Sequence, residues 1–201
     1  MVTSNFAEAG GFLKTATELA APDVQLHFVV APLDNHARSP HPGHGYSLHV
    51  CLLRPKSAGR VALAGADPFV APSIDPDFYG EPEDLEAMVR AFRLARRILE
   101  APALAAACTG DMFTANVRSD EEIRATLRER SDTIYHPVGT CRMGTDENAV
   151  VDPQLRVRGI EGLRVVDASV MPDLIGGNTN APTIMIAEKA RDLIRQGARG
   201  A

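Results

Sequence analysis

From Asp23 the chain reads DVQLHFVV, with Val24, Leu26, Phe28 and Val30 at alternate positions and Gln25 and His27 between them. That is the period of a half-buried strand. Tyr46 to Leu53 (YSLHVCLL) repeats it. The intervening LDNHARSPHPGHG is too long and too rich in turn formers for a tight hairpin and reads as a lid or entrance loop. A third short strand is predicted over Gly59 to Ala64. Neighbouring strands joined by turn formers, with no helix between them, predict an antiparallel sheet.

At Glu81 the period changes, because Leu85, Met88, Val89, Phe92 and Leu99 form one stripe of a helix. Pro82 suits its first turn, Glu83 and Asp84 its positive end, Arg96 and Arg97 its negative end, and Pro102 stops it. A second helix begins at Ser119, where Ser119 and Glu122 form an S-x-x-E capping box and Ile123 and Leu127 an apolar face; it should end near Ser131. Beyond Ser131 a Gly, Pro or Asn recurs every few residues. Leu163 to Asp167 reads there as a short strand closing on an acid, and Pro182 to Gln196 as a final helix with Ile186, Ala190, Leu193 and Ile194 on one face. The fold class expected is α+β, an antiparallel sheet flanked by helices.

Composition narrows the function. With 45% hydrophobic and 23% charged residues, the 201-residue chain is an ordinary globular one, and a net charge of −5 supplies no basic surface for a phosphate backbone. Nucleic acid is not an expected partner. No run of about eighteen apolar residues occurs, and the opening MVTSNFAEAGG lacks a basic region followed by an apolar stretch, so neither a spanning helix nor a secretion signal is predicted. Cys51, Cys108 and Cys141 form no CxxC pair and point to a reducing, cytoplasmic compartment. Sixteen Gly, fourteen Pro and no Trp imply many loops, and the opening SNFAEAGGF reads as the middle of something longer.

His136, in YHPVGTCRMG, is the one histidine outside the first fifty residues, and Pro137 restrains its backbone to extended conformations. An imidazole titrates near neutrality, which qualifies it as a base, although a lone loop histidine is more often an ordinary surface residue. Asn180, in GGNTNAPTIMIAEKA, stands at the entrance of the last helix, where Pro182 needs no hydrogen-bond acceptor. Unpaired N–H groups and a partial positive charge suit such an entrance to an anion or an electron-rich ring oxygen. Taken by itself, Asn180 reads more readily as a simple cap. His36, His41, His44 and His49 crowd one stretch but match no metal-ligand spacing, so no metal is expected. Cys141 reads as a small buried hydrophobe, and the absence of G-x-S-x-G leaves a hydrolase without its serine.

YHPVGTCRMG, LRVVDASVMP and GNTNAPTIMIAEKARDLI, in this order, resemble the carboxy-terminal part of the glucose-methanol-choline (GMC) family of FAD-dependent alcohol oxidoreductases. SNFAEAGGF, HVCLLRPKSAGRVALAGADPF and PSIDPDFYGEPEDLEAMVRAFRLARRI are similar to the substrate domain of its choline dehydrogenase and alkanol dehydrogenase branch. The resemblance implies that residues 1–145 belong to a substrate-binding domain and 146–201 return to an FAD domain with a last strand and helix. It implies FAD as cofactor and a primary alcohol as substrate. His136 would take the hydroxyl proton while hydride leaves for the flavin, and Asn180 would hold the oxygen. Tyr135, Asp167, Ala168, Ala181, Pro182 and Thr183 match stretches beside the cofactor, and Glu8 matches a glutamate near the cationic head of choline.

One departure is large. The G-x-G-x-x-G fingerprint that seats the ADP half of FAD in this family does not occur in the chain. The expected partner is therefore an amino-terminal FAD-binding domain that this chain lacks. The readings left open beside the oxidoreductase are a truncated or split module without its own flavin site and a cyanohydrin-cleaving lyase of the same family.

Overall fold

Strand β2 (Val24–Val29) lies between β1 (Ala7–Leu13) and β3 (Ser47–Leu52) in an antiparallel sheet of order β1-β2-β3, in a computed structural model that describes residues 5–35, 38, 39, 41 and 43–199. Of the crowded histidines, His36 lies outside the described residues. The described chain forms two units: Met1–Ala58 with Asp77–Asp132, and Gly59–Pro76 with Thr133–Ala201. They interleave in sequence and are a partition by packing, whereas the expected 1–145 and 146–201 division is one by role within a longer enzyme.

In the first unit, Val24 and Leu26 of β2 are buried as the alternation predicts. At the strand's end the phase slips: Val29 is 4% exposed and Val30, expected inside, is 59% exposed. Val30 lies past the end of β2, whose pairing with β3 is regular through Val29, while opposite this end β1 bulges, Ala7 pairing with Val29 but Ala9 with Phe28. β1 itself was not legible, because AEAGGFL carries no alternation. Gly10 is required there, since a Cβ would stand 2.6 Å from the Leu26 carbonyl oxygen. Helix α1 (Pro82–Leu99) lays Leu85, Met88 and Val89 on the sheet, and α2 (Pro102–Ala105) follows where Pro102 stops α1. Helix α3 (Asp120–Arg130) starts on the expected capping box, ends at Ser131 and completes this core with Ile123 and Leu127.

Asp84, 5% exposed, sits in the first turn of α1. Its carboxylate accepts from the Lys56 N–H (3.0 Å to each oxygen), the Ser57 N–H (2.7 Å) and the Ser57 hydroxyl (2.5 Å). Burial pushes this carboxyl up, but the Lys56 and Ser57 hydrogen bonds outweigh burial and hold it below the ordinary aspartate value.

In the second unit, Arg60–Ala62 (β4) pairs with Ser73–Asp75 (β5) in a separate two-stranded ribbon. The segment expected as the third strand of the first sheet is therefore not part of it. Helix α4 (Asn180–Arg199) begins two residues before Pro182 and buries Ile186 and Ala190 against Val151, Leu155, Val170 and Met171. Leu193 is half-buried, whereas Ile194, expected on the same face, is 48% exposed.

The strand expected over Leu163–Asp167 does not form. Arg164 makes a single antiparallel bridge to Arg156, and the chain then turns, because Asp167 caps a 3-10 helix over Ala168–Val170. A ladder needs a partner along its whole length, and the described residues provide one only at this bridge. No described helix is long and apolar enough to cross a membrane.

Candidate active site

The loop that carries His136 is pinned from behind. Cys141 N–H donates to the Ser169 carbonyl (3.0 Å) and Met143 N–H to the Val170 carbonyl (2.8 Å), while Val138 packs on the second core. Tyr135, just before His136, is 64% exposed and has a φ of 62°, and Gly139 just after it has a φ of 89°. A left-handed tyrosine carries backbone strain that persists only where surrounding packing dictates it. Gly139 meets the same demand at little cost because it lacks a Cβ.

His136 is half-buried, and both of its ring nitrogens are engaged. Nδ1 lies 2.8 Å from the Thr179 hydroxyl and Nε2 lies 3.2 Å from Oδ1 of Asn178. Thr179 itself is 8% exposed. Its carbonyl accepts from the Thr183 N–H (3.0 Å) and the Thr183 hydroxyl (2.7 Å), closing the first turn of α4. One complementary proton arrangement satisfies every group: Thr179 donates to Nδ1, and Nε2–H donates to the Asn178 amide oxygen.

The resemblance gave Asn180 the substrate oxygen and named no partner for the His136 ring. The structure instead brings Asn178 to His136. Asn180 is the first residue of α4, exposed, and its side chain has no hydrogen-bond partner among the described residues. Asn178 and Thr179 were passed over because both stand in the loop before the helix, and GNTNAP offers two asparagines with nothing in one sequence to rank them.

The remaining expected residues divide by place. Ala181 is exposed, and Pro182 and Thr183 are half-buried in the first turn of α4. Pro182 has no N–H, and the Thr183 N–H is taken by the Thr179 carbonyl. The N–H groups of Asn180 and Ala181 are left without acceptors among the described residues. Asp167 spends its carboxylate on the Ser169 N–H (2.8 Å) and the Ser169 hydroxyl, and Ala168 packs on the second core. Glu8 belongs to the first unit, on β1 beside the bulge, where it accepts from the Asn5 N–H at 3.0 Å. Among the described residues no group of three or more His, Cys, Asp or Glu is arranged to hold a metal.

Chemically, the second unit therefore presents an imidazole, an amide and two unpaired backbone donors close together at one helix entrance. These groups can hold an oxygen that is losing its proton and can face an electron-rich ring.

Known proteins share this arrangement of sequence. The chain is 50% identical over 194 residues to an alcohol dehydrogenase [acceptor] of Pseudomonas putida, covering 96% of this chain and 35% of the relative. It is 42% identical over 191 residues to the mitochondrial choline dehydrogenase of Homo sapiens, covering 94% of this chain and 32% of the relative. Among solved structures, pyridoxine 4-oxidase from Mesorbium loti superposes with a TM-score of 0.84 at 31% identity, over 92% of this chain and 37% of that one. The chain thus spans about a third of the length of the relatives it matches. The profile of the GMC oxidoreductase family matches residues 55–187, and the chain belongs to that family.

Proposed function

We propose that this chain is the substrate-binding and catalytic carboxy-terminal part of a flavin-dependent oxidoreductase that converts a primary alcohol to an aldehyde. The observation that carries this reading is the His136 imidazole held by Asn178 and Thr179 at the entrance of α4, in a member of the GMC family. When bound, FAD supplies the acceptor for the hydride that leaves the carbinol carbon.

The helix entrance fits that cofactor. Ala181 has a small, exposed side chain, and the Asn180 and Ala181 N–H groups, at the positive end of the helix dipole, suit an electron-rich ring edge. Pro182 and Thr183 complete this first turn, and Tyr135, next to His136, would face the cofactor from the His136 loop. Asp167 and Ala168 would lie along the cofactor's more distant portion. Nothing in the chain resembles a seat for the ADP half, so an amino-terminal FAD-binding domain is the partner this reading requires.

An alcohol is a poor hydride donor until it loses its proton, and a neutral imidazole is a base of suitable strength near pH 7. His136 takes that proton at Nε2, the nitrogen facing Asn178. The Asn178 amide, turned to present its NH2, donates to the oxygen as negative charge develops there, a role worth a few kcal/mol in comparable sites. The substrate we favour is an uncharged aliphatic primary alcohol, supported by the higher identity to the alcohol dehydrogenase (50%) than to the choline dehydrogenase (42%). Three free cysteines support a cytoplasmic location.

The test joins this chain to the remaining part of the Pseudomonas putida relative and measures flavin reduction by rapid mixing. His136→Ala should slow that step by about a hundredfold or more while substrate affinity changes little. An unchanged rate would remove His136 from the mechanism.

A further inference from the structure

The base reading leaves one question about His136. A ring whose proton sits on Nε2, donated to Asn178, cannot also accept a proton there. Thr179 holds the answer. Its hydroxyl is buried, and Nδ1 of His136, at 2.8 Å, is its only acceptor among the described residues. Its carbonyl is held by two donors from Thr183, so the residue cannot turn away without opening the first turn of α4.

A threonine hydroxyl carries one donor and two acceptor sites, so it can pair with Nδ1 whether or not that nitrogen is protonated. At rest it donates to Nδ1. When an alcohol displaces the Asn178 oxygen from Nε2, one proton leaves Nε2 to water and one is taken up at Nδ1, with no net change of charge. The Thr179 hydroxyl rotates from donor to acceptor. Nε2 then offers a lone pair to the alcohol proton, and the imidazolium formed keeps its Nδ1–H bonded to Thr179. A side chain without a hydroxyl would leave Nδ1 unpaired in both states, and an acceptor-only side chain would serve only one of them.

We propose that Thr179 is the positioning residue of His136, fixing the ring by Nδ1 and serving as a reversible partner that lets Nε2 become the basic nitrogen. This rests on the assignment of His136 as base, and the two are separable by experiment. The first measurement needs no flavin: ring nitrogen chemical shifts of His136 in the 15N-histidine-labelled chain, with the amide resonances of Val151 and Val170 reporting that the second core is intact. Wild type is expected to show one dominant tautomer with the proton on Nε2. Thr179→Val should move the shifts toward the averaged values of a free histidine, and Thr179→Ser should restore them. Averaged shifts in wild type, an unchanged pattern in Thr179→Val, or loss of the pattern in Thr179→Ser with the core intact would each overturn the proposal.

The second measurement uses the flavin-bearing fusion. Thr179→Val should slow flavin reduction by about tenfold or more with KM little changed, as removal of a ring-orienting partner does elsewhere, and Thr179→Ser should recover most of the rate. A wild-type rate in Thr179→Val would overturn the positioning role even if the ring shifts move. If His136→Ala itself keeps the wild-type rate, the base assignment fails, while the ring-nitrogen result still decides whether Thr179 sets the tautomer.

Discussion

The hydroxyl of Thr179 lies 2.8 Å from Nδ1 of His136 across a separation of 43 positions, and the residue just before it, Asn178, meets the other ring nitrogen at 3.2 Å. Both contacts come from the loop entering α4, so the helix start and the histidine loop form one polar unit. In that unit Asn178, rather than Asn180, touches the His136 ring, which is why the proposed role of holding the substrate oxygen is given to Asn178.

The two asparagines are distinguishable by kinetics. In the flavin-bearing fusion, Asn178→Ala should slow flavin reduction by about a hundredfold, the usual cost of losing an oxyanion donor, and Asn180→Ala by much less. Stopped-flow traces of both variants check this, and the opposite ranking would return the role to Asn180.

Asp84 should matter to stability in a pH-dependent way. Asp84→Ala strands the Lys56 and Ser57 N–H groups, at a cost of about 1–3 kcal/mol by denaturant unfolding at pH 7. Because the folded-state carboxyl is held below its ordinary value, its contribution is complete above the unfolded value of about 4 and is lost as pH falls through the folded one. The gap between wild type and variant should therefore shrink below about pH 4. A gap that stays constant into acid would show that the charge is not what the Lys56–Ser57 turn binds.

Removing apolar volume and removing a cap should differ in scale at α3. Ile123 is fully buried in the first core, so Ile123→Ala should cost about 2–5 kcal/mol. Ser119→Ala breaks the reciprocal pair with Glu122 and should cost about 1 kcal/mol, since the capped end is exposed. Urea denaturation followed by circular dichroism checks both, and equal losses would contradict this account of the helix.

Glu8→Gln tests the proposed substrate class. If the substrate is an uncharged alcohol, Glu8→Gln in the fusion should leave kcat/KM for a medium-chain alkanol within about threefold, because no cation is there to be paired. Steady-state assays on the alkanol and on choline decide this. A strong choline preference that collapses in the variant would overturn the choice, and it would give Glu8 the cationic head of the substrate.

Period and capping chemistry alone determined α1, α3 and the greater part of α4, because a helix is stabilised by contacts three and four residues apart and by its own ends, all of which are local. Pro82, the Ser119–Glu122 box and Pro102 marked boundaries for the same reason. The pairing of β4 with β5, the edge strand β1 and the missing strand at Leu163–Asp167 were decided by tertiary structure. A strand is defined by its neighbour, and AEAGGFL acquires one only through the close approach that Gly10 permits. The site divides likewise. His136 was legible as a chemical group in a restrained loop, and its family resemblance in the ordered motifs around it. Which of Asn178, Thr179 and Asn180 would face that ring was not, because a one-residue step at a helix entrance rotates a side chain by about 100° and only packing fixes the phase.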